Sequence, residues 1–188
     1  MTKNYINSAI EKNNFNLISF NSDNVPPIKI NGNISKIDNQ LNIKYLLTGD
    51  LSTIIIPQSN KTPLRQYDLW EHTCFELFLK LKGTTRYWEF NLAPSGNWNV
   101  FYFLDYRLNI IEEQAFESFP FKVAFQSPES LIAEANIDLS KLDITNKDLD
   151  IAITTVLENK DGQLSYWALT HPAIEADFHH PNSFIVSL

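Results

Sequence analysis

The chain has 188 residues, of which 44% are hydrophobic and 20% charged, so it suits one domain with a sizeable core and excludes wholesale disorder. Fifteen Lys and Arg against 22 Asp and Glu give a net charge of −7, which argues against sequence-independent nucleic-acid binding and against a polybasic membrane-surface protein. The single cysteine, Cys74, has no partner for an internal disulfide, and no CxxC or Cys/His zinc spacing exists.

From Met1 to Glu11, Asn and Glu arrive before any apolar run, so no signal peptide is expected. Nowhere is there an apolar stretch long enough to span a bilayer, and the expected location is the cytoplasm. Ile6 to Phe15 is expected to start a short helix. Strands are predicted over Asn16 to Phe20, Leu41 to Leu47 and Thr53 to Ile56 in the first third. The middle of the chain is more strongly patterned, with strands over Thr73 to Leu81, Tyr87 to Leu92, Asn99 to Tyr106 and Phe121 to Gln126. The last third adds Leu131 to Ile137, Ile151 to Leu157, Ser165 to Leu169 and Ser183 to Leu188, with a helical turn or two over Lys141 to Leu149. Turn chemistry separates these segments at Lys82-Gly83, Pro94-Ser95-Gly96 and Asn159-Lys160-Asp161-Gly162. Many short strands at this spacing predict a single all-β domain of mainly antiparallel strands, a sandwich or a barrel.

Strand parity indicates which face carries chemistry. Between Trp70 and Leu81 the odd positions Phe75, Leu77, Leu79 and Leu81 form a core face. The even positions Trp70, His72, Cys74, Glu76 and Phe78 mix aromatic and ionisable groups. In the next segment Trp88, Phe90 and Leu92 are the apolar side, while Tyr87, Glu89 and Asn91 point the other way. A hairpin through Lys82-Gly83-Thr84-Thr85 would put Trp70, His72, Glu76, Glu89 and Asn91 on one surface. Aromatic rings beside carboxylates and amides match a sugar, whose C–H face stacks on a ring and whose hydroxyls take polar partners. Glu134 and Glu158 read instead as solvated carboxylates. Trp98 and Trp167 read as core.

Four histidines, His72, His171, His179 and His180, together with Asp177 and Glu76, raise the question of a metal, but none has ligand spacing; hydrogen bonds to loop backbone are the expected role. Cys74 reads as a buried filler and Ser95 as a turn residue outside any G-x-S-x-G frame. With five glycines and no phosphate cradle, a nucleotide cofactor is not expected.

Trp70-Glu71-His72-Thr73-Cys74-Phe75-Glu76-Leu77-Phe78, Tyr87-Trp88-Glu89-Phe90-Asn91, Pro94-Ser95-Gly96-Asn97-Trp98, Ser165-Tyr166-Trp167-Ala168-Leu169 and Asp177-Phe178-His179-His180-Pro181 together resemble a DOMON-like domain, over about 65–188. The closer resemblance is to the bacterial MurB-like branch of that group, which belongs with the family-nine carbohydrate-binding modules and the haem- or sugar-binding DOMON domains. The resemblance implies an immunoglobulin-like or jelly-roll β-sandwich with a small ligand on a concave face or rim. It implies a stacking Trp70, a ligand-binding Glu76 and a second stacking ring at Phe178, where those modules carry a Trp. The haem-binding relatives use a Met and a His, and the only methionine here is Met1. No cofactor is therefore expected, although haem held by two histidines stays as an alternative.

The sequence as a whole predicts a module that binds a carbohydrate or related polyol without catalysis, using Trp70, His72, Glu76, Glu89, Asn91, Arg107, Phe178 and His179. The alternatives are a glycoside-processing enzyme using carboxylates and histidines of the same face, a haem or metal protein, and a purely structural interaction domain.

Overall fold

A computed structural model describes residues 11–21 and 25–188. The strands are β1 (Glu11–Ser19), β2 (Ile28–Ile37), β3 (Gln40–Gly49), β4 (Cys74–Leu81), β5 (Tyr87–Leu92), β6 (Trp98–Phe103), β7 (Ile111–Glu112), β8 (Lys122–Ser127), β9 (Ser130–Asp138), β10 (Leu149–Glu158), β11 (Leu164–Ala168) and β12 (Val186–Ser187). No α-helix occurs among the described residues, only short 3-10 turns, and so none of their helices is long and apolar enough to cross a membrane.

The strands pair in the order β7-β6-β5-β4-β10-β11-β1-β2-β3-β9-β8, with β12 alongside β10. All named pairings are antiparallel. The ribbon folds into an all-β sandwich whose seam is β1: its body pairs with β2, and its end, Ile18 and Ser19, pairs with Ala168 and Trp167 of β11. One layer is β1, β2, β3, β9 and β8. The other is β4, β5, β6, β7, β10, β11 and β12.

Alternation places the core between the layers. Leu41, Ile43, Tyr45 and Leu47 of β3 and Leu131, Ala133, Ala135 and Ile137 of β9 face Phe75, Leu77 and Leu79 of β4 and Trp88, Phe90 and Leu92 of β5 in one apolar cluster. Tyr45 bridges the layers, its ring 5.1 Å from that of Phe75 and its hydroxyl donating to the Glu76 carbonyl at 2.7 Å. Trp98 and Trp167 belong to this core, as expected.

Several segments differ from the sequence expectation. The strand predicted over Thr53 to Ile56 is a 3-10 turn, Leu51–Thr53, closed by Asp50, which accepts from Ser52 N–H; a single bridge follows between Ile54 and Asn159. Of the helix expected over Ile6 to Phe15, residues 11–15 are strand β1 and the rest lies outside the described residues. The helical turn near Lys141 is a 3-10 turn one step earlier, Leu139–Leu142. Strand β2 had no counterpart in the sequence reading, because Asn31-Gly32-Asn33 looks like a turn. Gly32 is needed there for room: a Cβ would strike the Lys44 carbonyl oxygen and come 2.6 Å from the Phe15 ring. The β4–β5 hairpin forms as predicted, with Gly83 at a φ of +77° that a side chain would strain.

Candidate functional site

The layer that holds β4 and β5 has a second face, turned away from the main core, and the register assembles it in rows. Asn99 of β6, Asn91 of β5, Glu76 of β4 and Thr154 of β10 lie side by side. The next row is Phe101, Glu89, Phe78 and Ala152, and the one after begins Phe103, Tyr87 and Lys80. All of these but Lys80 are buried, because loops lie over this face. Phe78, Tyr87, Phe101, Phe103, Ala152 and Phe184 form a second apolar cluster, against which Trp70 and Phe178 pack.

Between this floor and its cover is a cleft of about 440 Å³, within the range of roughly 300–1,000 Å³ common for small-molecule sites. Glu76 and Glu89 line it from the floor. Trp70 comes from the 3-10 turn Leu69–Glu71, Arg107 and Ile110 from the loop after β6, and Ala176, Phe178 and His179 from the segment before the last strand. Glu71 of the same 3-10 turn, Phe103 of β6, Tyr166 and Leu164 of β11 and Val156 of β10 complete it. The Trp70 ring is held edge-on against Tyr67 at 5.2 Å and Phe101 at 5.7 Å. Phe178 packs edge-on against Tyr166 at 6.0 Å.

The polar groups are arranged unevenly. Glu76 accepts from the Thr154 hydroxyl at 3.0 Å, and Glu89 accepts from the Asn91 amide at 2.9 Å. Burial, and then the neighbouring Glu89 charge, push the Glu76 carboxyl well above the usual carboxylate range, with the Thr154 hydrogen bond opposing. Burial pushes Glu89 up to about 7, against the lowering effects of Asn91 and Arg107. His179 sits among Phe78, Phe103 and Tyr87, with ring centroids at 5.1, 5.2 and 5.8 Å. Burial and the Arg107 charge lower its pKa to about 3, so it is neutral in ordinary buffers.

Tyr87 links these groups. Its hydroxyl accepts from the Arg107 backbone N–H at 3.1 Å and lies 2.8 Å from His179 Nδ1, to which its own proton is then directed. That assignment puts the imidazole proton on Nε2, which is 3.7 Å from Glu89 Oε2, beyond hydrogen-bond range. Burial raises Tyr87 to about 12, which keeps it a donor. At the mouth, Arg107 donates to Asp177 Oδ1 at 2.9 Å and the Tyr106 hydroxyl to Asp177 Oδ2 at 2.6 Å. These bonds tie the loop after β6 to the segment that carries Phe178.

Of the eight residues singled out from sequence, Trp70, Glu76, Glu89, Arg107, Phe178 and His179 line this one cleft. Asn91 lies beneath it, holding Glu89. His72 does not line it: it follows the 3-10 turn, which breaks strand parity, and its Nδ1 pairs with Glu158 at 2.8 Å. Glu158, read as a solvated carboxylate, is thus in an ion-pair position. His171 meets the Ile18 carbonyl at 2.9 Å, and His180 caps the 3-10 turn Pro181–Ser183 by accepting from Asn182 N–H. Sequence reasoning did not single out Tyr87, Thr154, Tyr166 or Asp177 as site residues. Parity already put Tyr87 on this face, and Tyr166 and Asp177 stand in motifs already quoted. Thr154 needed the β10 register.

Among the described residues, His179 is the one imidazole lining the cleft, no sulfur lines it, and Cys74 is fully buried beside Asn91. Among the described residues, no three His, Cys, Asp or Glu side chains are grouped to hold an ion.

No family model and no curated protein matches the chain. Among solved structures it is similar to a protein of Bacteroides uniformis provisionally described as carbohydrate-binding, with 13% identity over 93% of this chain and 84% of that one and a TM-score of 0.67. It is also similar to a family 9 carbohydrate-binding module of Caldicellulosiruptor kristjanssonii, solved with cellotriose, at 12% identity over 78% of this chain and 68% of that one, with a TM-score of 0.45. The first likeness establishes that this fold is shared with that chain.

Proposed function

We propose that the protein is a non-catalytic module that binds a carbohydrate in the cleft between Trp70 and Phe178 on its walls and Glu76 and Glu89 on its floor. The observation that carries this reading is the meeting, in one space of about 440 Å³, of aromatic rings with buried, hydrogen-bond-capable carboxyl groups. Rings take the C–H face of a pyranose, and the floor takes its hydroxyls. The resemblance of the motifs to DOMON-like domains and family-nine modules supports the reading, as does the carbohydrate-binding description of the Bacteroides uniformis protein that shares the fold.

A thermal-shift screen against free sugars, methyl glycosides and amino sugars tests it. At about 100 times Kd, a ligand stabilises by about 2.7 kcal/mol, a shift of roughly 5–10 °C for a domain of this size. The shift is expected to vanish in Trp70→Ala; no shift with any sugar, or an unchanged one in Trp70→Ala, contradicts the reading.

One observation favours a second reading, a glycoside-processing enzyme. Glu89 titrates near neutrality beside a neutral His179 that Tyr87 orients, which suits acid–base work. Turnover of aryl glycosides that Glu76→Gln abolishes while sugar binding persists would favour that enzyme over the binding module.

A further inference from the structure

Among the described residues, no Lys or Arg makes an ion pair or hydrogen bond with the carboxyl groups on the cleft floor, and the Arg107 charge reaches Glu89 only across space. Glu76 is 2% exposed and Glu89 5%. Each accepts one side-chain hydrogen bond, and Glu76 Oε1 makes none with any described residue. The nearest basic groups are committed elsewhere. Arg107 is held by Asp177, and Lys80, on the same face of β4, points to Asp150 at 4.0 Å and to the Phe184 ring at 4.6 Å. His179 approaches Glu89 but carries no charge. Rings of Trp70, Tyr166 and Phe178 line the same space, and aromatic faces attract cations.

We propose that the sugar bound in this cleft carries a protonated amine, received by Glu76 and Glu89: the ligand is an amino sugar rather than a neutral or acidic one. The inference rests on the carbohydrate reading above. An acidic sugar would meet Glu71, Glu76 and Glu89, with Arg107, already held by Asp177, as the one Lys or Arg lining the cleft. A neutral sugar can hydrogen-bond to protonated carboxyl groups but gives them no reason to ionise. An ammonium group does, so its binding expels a proton from the floor into solvent. The titratable and charged groups around Glu89 are Glu76 and Cys74 from β4, Tyr87 on its own strand, Glu71 from the 3-10 turn, Tyr166 from β11, Arg107 from the loop after β6 with its partner Asp177, and His179 from the covering segment. Tyr87, Cys74 and His179 stay neutral near pH 6, and Arg107 and Asp177 stay charged, so the proton released there comes from a glutamate.

The test is calorimetric titration at pH 6 in two buffers of different ionisation enthalpy. The probes are the β-1,4-linked disaccharide of glucosamine, its N-acetylated form, cellobiose, and cyclohexylamine as an amine ring without hydroxyls. The glucosamine disaccharide is expected to bind about tenfold or more tighter than the other three and to release about one proton, with affinity rising from pH 5 to 7. In Glu89→Gln the preference for the glucosamine disaccharide over cellobiose should shrink and the proton release should fall; if this variant does not fold, the wild-type proton count decides. Equal binding of cellobiose, or no proton release, overturns the amine inference and leaves the carbohydrate reading standing. Cyclohexylamine binding as tightly as the disaccharide overturns the inference because the hydroxyls are not being read. Binding of none of the four overturns it too, and a sugar shift in the thermal screen then separates its failure from that of the carbohydrate reading.

Discussion

The sandwich has two faces turned away from its main core, and they have opposite fates. On the layer built around β3 and β9, the outward residues meet water: Lys44 and Glu134 pair at 2.8 Å with their side chains 38% and 39% exposed, and Asn136 donates to Asn42 across the strands. On the layer built around β4 and β5, the same outward parity carries Glu76, Glu89 and Asn91 under a roof, where all three are buried. Alternation along a strand says only which residues leave the core. Whether they then reach solvent depends on loops, and here the turn with Trp70, the loop after β6 and the segment with Phe178 cover one face and not the other. A carboxylate that costs nothing on the first face is forced toward its protonated form on the second.

The largest consequence of the contrast concerns apolar residues. Phe78, fully buried under the roof, should cost about 3–5 kcal/mol when changed to Ala, whereas Phe125, 59% exposed on the outer strand of the other layer, should cost within about 0.5 kcal/mol. Urea unfolding of the two variants measures both. Equal losses would mean that the roof does not pack as described.

The next effect is the pH dependence of stability, where two groups under the roof oppose each other. Glu89 is raised from 4.5 to about 7, so the folded state holds its proton longer than the unfolded one, and stability falls as pH rises from about 4.5 to 7. His179 is lowered from 6.5 to about 3, so the unfolded state takes the proton first, and stability rises as pH climbs from about 3 to 6.5. Each contribution is on the order of a few kcal/mol, and between about pH 4.5 and 6.5 these two offset, while Glu76, raised in the same sense as Glu89, adds to the fall with rising pH. Glu89→Gln should therefore make stability rise more steeply with pH in that window, and His179→Gln should make it fall. Denaturation midpoints from pH 4 to 8 test this; unchanged profiles in both variants would contradict the assignment. The smallest effect belongs to the open face, where Glu134→Gln should cost no more than about 1 kcal/mol, less at high salt, by the same unfolding assay.

The contrast also explains what the sequence made legible. The β4–β5 hairpin, its register and its two-sided character were readable because Phe75, Leu77 and Leu79 alternate with Cys74, Glu76 and Phe78 without interruption. Strand β2 was hidden because Gly32 between two asparagines has turn chemistry, and only the neighbouring Lys44 carbonyl and Phe15 ring reveal why a glycine is there. His72 was misplaced because parity was extended through residues that form a 3-10 turn. The roof was the least legible part. Arg107, at a φ of +51°, and Phe178 lie in irregular backbone whose path no period encodes, and the resemblance rather than the pattern pointed to Phe178. Tyr166 and Thr154 reach the site only through strand pairings between distant parts of the chain.

The central claim is that a sugar occupies the roofed face and meets Trp70. Trp88, Trp98 and Trp167 are all in the main core, while Trp70 packs at the edge of the cleft, so the four indole N–H signals of the ¹⁵N-labelled protein distinguish the two environments. Titration with the sugar that gives the largest thermal shift should move the Trp70 indole signal, identified by its loss in Trp70→Phe, and leave the other three nearly still. Saturable movement confined to the core tryptophans, or a bound sugar that leaves Trp70 unmoved, would contradict the account.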